Sequence, residues 1–540
     1  MKEFSIPKEI QEIGEILAQN GYEAYLVGGG VRDLLIDDPP AGGPKDWDIT
    51  TNAHPEEIQK LFSTFAGATA DKPATVYEND FGTVGVKTQS EDPTLKVVEI
   101  TTFRIEGTYS DKRHPDEIKF AKTIEEDLSR RDFTVNAMAL ALTHNPQQTT
   151  HNKKEKNVGG GELSVVSFLV DPYGGLGDIK DKIIRTVGDA EKRFNEDALR
   201  MLRAVRFSAQ LSAQGGPQPK ADEPRAQASG WEIEKKTQKA IKKNAPFLKH
   251  IAEERIRDEF QKLIMTPRSA EGVFALQEFG LLEYIIPELL EGVGCKQNKH
   301  HVYTVFEHNV RALEYATEKN YSLEVRLASL LHDVGKPRTK NGSGENVTFY
   351  NHEMVGARIA KDALDRLRFP RDVVQRVRHL IRYHMFYYNV GEVSEAGVRR
   401  FIARVGVENI DDILNVREAD RVGSKVPKAF PYKLRHLLFM IDKVRHDPVH
   451  PKMLAVKGDE VMRLLNIPAG PRVGDILFVL LEEVLDDPSK NTKEYLEEKV
   501  REFGTLSSIE LKKLADEGRK KKDLIEEGVE NDMKKRYFVK

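Results

Sequence analysis

The chain has 540 residues, too many for one hydrophobic core, so several domains are expected. Apolar residues make up 39% and charged residues 31%, and no apolar run reaches the roughly 18 residues of a membrane span, nor does the N-terminus carry the apolar core of a signal peptide. A net charge of -3 excludes a uniformly basic nucleic-acid binder, and a lone Cys295 excludes an internal disulfide and a cysteine-based zinc site. A cytoplasmic protein without membrane contact is the expectation.

Residues 1-142 mix strand-like runs (AYLVGG, KDWDIT, GTVGVKT, KVVEITTF) with helical segments, the pattern of an α/β or α+β domain. In YLVGGGVRD, the Gly28-Gly29 turn lets backbone N-H groups approach a phosphate, and Arg32-Asp33 follows at once. If Lys45 to Thr50 is a strand, Asp46 and Asp48 project from one face, and a divalent cation relieves their repulsion. Glu99, in the strand-like KVVEITTF, offers a third carboxylate, and three acids can hold two metals for phosphoryl transfer. The same acids would equally sit in a solvated loop.

LSRRDFTVNAMAL follows at 128-140. Arg130 and Arg131 present planar forks suited to phosphates and Asp132 can accept from ribose hydroxyls, or the three form a surface ion pair ahead of an apolar helix. Residues 144-164 and 211-229 are polar, Gly- and Pro-containing insertions. Between them, NEDALRMLRAVRF reads as one helix, with Glu196 or Asp197, Arg200, Arg203 and Arg206 along a face, either a salt-bridge ladder or donors and acceptors for a base edge. From Ile233 the periodicity is helical. Basic runs at Lys235, Lys236, Lys239, Lys242 and Lys243 and at 519-522 are candidate RNA contacts or solvated faces. Farther on come His308, the adjacent His332-Asp333, His352, His384 and Asp420, residue types suited to divalent metals. His300, His301 and His379 stay outside that set. The last 30 residues or so are highly charged and are expected to form a partly ordered helical tail.

The segments LVGGGVRD with DWD, EITTFRIEGTYSDKRHPDEIKF, LSRRDFTVNAMA, DPYGGLGDIKDKIIRTVGD and EDALRMLRAVRF stand in one order over about residues 20-210. In these motifs the chain resembles the class II tRNA nucleotidyltransferases, the bacterial CCA-adding enzymes, a branch of the polymerase-β superfamily that also holds bacterial poly(A) polymerases. The resemblance implies a multidomain α+β protein: a polymerase-β-like head with a mixed sheet, then a mostly α-helical body. It implies Asp46, Asp48 and Glu99 as catalytic carboxylates, with Mg2+ at the first two. Gly28, Gly29, Arg32 and Asp33 would hold the triphosphate, and Arg131, Asp132 and Asn136 would meet the nucleotide. Glu196, Asp197 and Arg200, with Arg203 and Arg206 behind them, would act as a protein template for CTP and ATP. Glu106 to Lys119 corresponds to the flexible loop linked to the switch from C to A addition. The link PPAGGPKDWD is longer than the family usually has, and the two insertions are unusual.

The order His308, His332-Asp333, His352, His384, Asp420 resembles the HD-domain metal-dependent phosphohydrolases, which implies a second divalent metal and a possible phosphoesterase activity or a structural relic. Residues 451-496, with a turn at Ile467 to Pro471, resemble the family's C-terminal body, which would support the acceptor-TΨC arm of tRNA by shape and backbone contacts. The expected domains are a head (1-145), a neck with the nucleotide-selecting helix (146-232), a helical RNA-binding body (233-295), an HD domain (296-425) and a helical tRNA-binding tail (426-540). The expected activity is template-independent CCA addition to tRNA from CTP and ATP. Poly(A) polymerase, or an HD phosphohydrolase with an RNA-binding head, are the alternatives.

Overall fold

The computed structural model describes residues 6-36, 44, 46-63, 75-77, 82-106, 118-142, 168-212, 230-297, 302-342, 344-386, 388-391, 393-424 and 432-516. They fall into two compact units, Met1–Glu291 with Asp362–Arg371, and Gly292–Lys361 with Asp372–Lys540. Among the described residues no helix is long and apolar enough to cross a membrane.

The first unit is built on a seven-stranded mixed sheet. Its strands lie in the order Thr75–Tyr77, Thr83–Lys87, Val97–Thr102, Asp48–Thr51, Ala24–Val27, Ala139–Ala141 and Leu169–Val170. Only Asp48–Thr51 and Val97–Thr102 pair in parallel; all other neighbours are antiparallel. Ala24–Val27 is buried along its whole length. Such a strand must be covered on both faces, and it lies centrally in the sheet. Tyr25 and Val27 on one face pack with Phe103, Ile124, Leu128, Ala139 and Ala141. The helix Lys8–Gln19 buries Ile10, Ile13, Gly14 and Leu17, and a Cβ on Gly14 would lie 2.8 Å from the Leu142 Cβ, so glycine sets how closely the chain approaches there.

Three local expectations change. The strand expected at 45-50 runs from Asp48 to Thr51, because its partner ends at Val27, opposite Asp48, and Gly28 turns away at φ +75°. Asp46 therefore precedes the ladder, and Lys45 lies outside the described residues. The apolar stretch after Asp132 is a 3-10 turn, Thr134–Asn136, then the strand Ala139–Ala141, not a helix. The single helix expected at 195-207 is two, Ala190–Glu196 and Leu199–Leu211, broken at Asp197, whose extended backbone (φ -143°, ψ 106°) ends the first.

Three more helices, Lys235–Asn244, Glu253–Ile264 and Ser269–Glu278, complete this unit's helical part. In the basic helix Lys235–Asn244, Lys242 meets Glu278 at 3.1 Å and Lys243 meets Glu191 at 2.7 Å. The insertion at 144-164, most of that at 211-229, most of the Glu106 to Lys119 loop, His300, His301 and the run at 519-522 lie outside the described residues. Arg104–Glu106 and Ile118–Phe120, which flank that loop, pair as an antiparallel hairpin.

The second unit is helical. Val305–Glu318 and Ile410–Gly423 pack through Ala312, Ala316 and Ala419, and a Cβ on Gly423 would lie 3.0 Å from the Ala312 backbone nitrogen. These small residues let the two helices close up, which brings His308 and Asp420 together. Farther along, Gly458–Leu465 and Pro471–Asp486 flank the turn expected at 467-471, with Pro471 in the first helical turn, where its missing N-H goes unused.

Candidate nucleotide site and candidate metal centre

The head's candidate site collects at the end of the strand Ala24–Val27. Gly28 takes a positive φ that only glycine adopts without cost, and the helix Gly29–Leu35 starts on the next residue. A Cβ on Gly28 would lie 3.1 Å from Arg131 Nη1 and 3.5 Å from Asp48 Oδ2, and one on Gly29 would lie 3.9 Å from Asp46 Oδ2. Both carboxylates therefore aim at the glycine turn although only Asp48 belongs to the strand. Gly30 has the tightest approach: its Cβ would lie 2.5 Å from the Asp46 carbonyl oxygen. In the parallel register Ile49 pairs with Ile100, so Asp48 and Glu99 are neighbours one step back. Burial, Asp46 and Glu99 together push the Asp48 carboxyl up to about 7, against the pull of Arg131. Carboxylates crowded this way fit a hard divalent cation, which would replace the proton that Asp48 otherwise keeps.

Behind the turn, Arg32 and Asp33 are buried. Arg32 donates from Nε to Asp33 at 2.8 Å and from Nη1 to Asn136 Oδ1 at 2.8 Å. Burial raises the Asp33 carboxyl, which Arg32 partly offsets. Arg130 and Arg131 share the fully buried Asp127, at 2.9 and 3.5 Å. Asp132 accepts from Arg203 Nε at 2.7 Å, from the Phe133 N-H at 2.8 Å and from Asn136 Nδ2 at 3.2 Å. Burial alone would raise its carboxyl, but Arg203 and Arg200 overcome this and hold it at about 2.

The candidate selecting residues sit at the break between the two helices. Glu196 Oε2 accepts from Arg200 Nη1 at 2.6 Å and from Arg193 Nη1 at 2.9 Å. Asp197 accepts from the Leu199 N-H at 3.0 Å and from Arg255 at 2.7 Å. Arg206 is committed elsewhere, to Glu259 and Gln210 at 2.7 Å each, with its guanidinium 4.1 Å from the Phe207 ring centre. Arg193, Arg255 and Glu259 were not picked out from sequence. Arg255 carries no spacing signal, since it meets Asp197 from a separate helix, whereas Arg193 stands three residues before Glu196 in one helix, a spacing the sequence did offer.

In the helical unit, His308, His332, Asp333, His352, His384 and Asp420 come from separate helices and helix ends and converge. His308 Nε2 lies 2.9 Å from His332 Nε2 and 3.2 Å from both Asp333 and Asp420. His352 Nε2 lies 3.2 Å from the other Asp333 oxygen, and His384 Nε2 lies 3.9 Å from it. The Nδ1 atoms of His332, His352 and His384 each donate to the backbone carbonyl three residues back, at 2.8, 2.8 and 2.7 Å. A carbonyl only accepts, so Nδ1 carries the proton and Nε2 is turned inward, the tautomer of a metal-ligating histidine. Among the described residues, the buried Nε2 atoms of His352 and His384 have no hydrogen-bond partner. Two nitrogens bound about 2.1 Å from one ion at about 90° sit about 3 Å apart, close to the His308-His332 spacing. Although burial opposes it, Asp333 and Asp420 push the His332 imidazolium up to about 10, while burial and its histidine neighbours push His384 well down. A divalent cation would satisfy both acids without that proton. His379 stands apart, with Nε2 on the Val405 carbonyl at 2.7 Å.

Comparison with known proteins gives three family matches: the poly A polymerase head domain over residues 24–185, the probable RNA and SrmB- binding site of polymerase A over 230–292, and the HD domain over 305–422. An A-adding tRNA nucleotidyltransferase of Deinococcus radiodurans is 34% identical over 381 residues, 68% of this chain and 76% of that one. A CCA-adding enzyme of Geobacillus stearothermophilus is 30% identical over 88% of this chain and 92% of its own. The chain belongs to the tRNA nucleotidyltransferases. The crystal structure of a CCA-adding enzyme from Bacillus stearothermophilus in complex with CTP superposes with a TM-score of 0.61 at 28% identity, over 92% of this chain and 96% of that one.

For a tRNA nucleotidyltransferase the arrangement is chemically coherent. Carboxylates and a glycine turn flank one place, and an acid-arginine pair lies at the break beyond the RRD segment. Phosphoryl transfer asks mainly for positioning and charge neutralisation, to which groups of these types are suited. Gly30 is a further residue of this tRNA nucleotidyltransferase that sequence reading missed. The GGG run held its signal, since a third consecutive glycine at a helix start marks a close backbone approach.

Proposed function

We propose that the chain adds CMP, CMP and AMP from CTP and ATP to the 3' end of tRNA without a nucleic-acid template. The observation that carries this reading is the placement of an acid and an arginine, Asp197 and Arg200, at the break between the two helices, with Arg200 close enough to Asp132 to lower its carboxyl. Cytosine and adenine share a Watson-Crick pattern, an exocyclic amine that donates beside a ring nitrogen that accepts. Uracil and guanine present a carbonyl and a ring N-H instead. A carboxylate beside a guanidinium suits the first pair and opposes the second, so one fixed pair of side chains serves both C and A.

Asp46 and Asp48, with the Glu99 carboxylate beside them, would hold Mg2+, which when bound would supply charge neutralisation at the triphosphate and lower the pKa of the attacking 3'-hydroxyl. Backbone N-H groups after Gly28 and Gly29, with Arg131, receive the phosphates, and Arg32 and Asp33 fix that turn from behind. Asp132 and Asn136 orient the sugar. Arg203 acts through Asp132, and Arg206 supports the helix through Glu259. The reaction takes place in the cytoplasm, with the acceptor-TΨC arm lying on the helical regions.

The inward-turned Nε2 atoms of the histidine cluster favour a second activity, hydrolysis of a phosphoester at a divalent metal held by His308, His332, Asp333, His352, His384 and Asp420. Asp48→Asn separates the readings. Nucleotide incorporation is expected to fall by several orders of magnitude while phosphodiesterase turnover persists. Undiminished incorporation of C and A by this variant would overturn the assignment of the head site.

A further inference from the structure

Arg193 lies outside every residue given a role above, yet each nitrogen of its guanidinium is engaged. Nε donates to the Val187 carbonyl at 3.0 Å, Nη1 to Glu196 Oε2 at 2.9 Å and Nη2 to the Ser129 carbonyl at 2.5 Å. Arg200 repeats the pattern one residue on: Nη1 donates to the same Glu196 oxygen at 2.6 Å and Nη2 to the Arg130 carbonyl at 3.2 Å. One carboxylate oxygen is thus shared by two guanidiniums, and both guanidiniums hold consecutive carbonyls just ahead of Arg131 and Asp132.

We propose that Arg193 is a positioning residue for nucleotide choice: with Glu196 it fixes the guanidinium of Arg200 and ties it to the Ser129-Arg130 backbone, so that base reading and phosphate binding share one rigid frame. The inference rests on the reading that Asp197 and Arg200 select the nucleotide. Glu196 Oε2, accepting from both arginines, orients Arg200, while Asp197 is held by Arg255 at 2.7 Å and by the Leu199 N-H at 3.0 Å. Lysine cannot replace Arg193, because a single ammonium lacks the planar fork that reaches three acceptors in three directions. A misplaced Arg200 would still carry charge, so catalysis would survive better than selectivity.

The test uses the full chain and its Arg193→Lys and Arg193→Gln variants. Incorporation is measured for CTP against UTP on tRNA ending before CCA, and for ATP against GTP on tRNA ending in CC. Melting temperature with each nucleotide is recorded alongside. Discrimination is expected to fall by about ten- to a hundred-fold in kcat/KM ratio for Arg193→Gln, with Arg193→Lys between it and the native chain. Equal losses for all four nucleotides, or an unchanged ratio, would overturn the proposal. If Arg193→Gln does not fold, Arg193→Lys keeps the charge and decides by the same ratio. If the native chain adds neither C nor A, the functional reading above fails. The thermal shift then decides this one: a preference for CTP over UTP and ATP over GTP that Arg193→Lys loses supports it, and a preference that Arg193→Lys keeps overturns it.

Discussion

Asp132 and Gly30 carry the residue-scale consequences. With its folded pKa at about 2, below the ordinary 3.8, Asp132 contributes stability above the unfolded value, and that contribution disappears as pH falls through 2. The shift corresponds to about 2 kcal/mol. The stability gap between the native chain and Asp132→Asn should therefore be full above about pH 4 and narrow below it, as followed by calorimetry of the head's transition. A gap that widens on acidification would contradict the ion pair with Arg203. Gly30→Ala should displace the Asp46 carbonyl and weaken Mg2+-supported turnover at least ten-fold with a small change in melting temperature, since the clash falls on backbone beside the site. The sequence offered Asp46, Asp48 and the glycine turn through residue type and motif order, although the one-face strand spacing expected for the two acids does not hold, since Asp46 precedes the ladder. It did not carry the anchoring of Arg193 and Arg200 to the Ser129 and Arg130 carbonyls, which lie 64 and 70 residues away along the chain.

Among elements, the helices Leu199–Leu211 and Glu253–Ile264 are joined by Arg206-Glu259 at 2.7 Å and Arg203-Glu259 at 3.8 Å, and Arg255 of the second reaches Asp197, just ahead of the first, at 2.7 Å. Both members of the first are buried. Removing one leaves the other charge desolvated, so Glu259→Leu should cost about 3-5 kcal/mol, whereas Glu259→Leu with Arg206→Met should recover most of it. Chemical unfolding of the three proteins checks this; a double variant as unstable as the single would remove the charge argument. Helical periodicity made these helices legible. Their partners were not, because a pair separated by 53 residues leaves no periodic trace. The same limit explains the strand at Ala139–Ala141. Its run of small apolar residues reads as either helix or strand, and pairing with the buried Ala24–Val27 decides for strand.

At the scale of the whole molecule, the two candidate sites lie in two compact units. The HD order in the sequence was enough to name all six converging residues. The inward direction of Nε2 was not, since it depends on backbone carbonyls placed by helix ends. Addition of Mn2+ or Ni2+ to metal-stripped protein should raise the melting temperature of the helical unit, and Asp333→Ala should abolish that rise while nucleotide incorporation continues. An unaltered rise in Asp333→Ala would contradict the metal centre. The central claim is tested most directly by incubating the native chain with CTP and ATP and three tRNAs, ending before CCA, after C and after CC. The account predicts C, then C, then A, with addition stopping at CCA; a chain that adds only A, or extends A repeatedly, would contradict it.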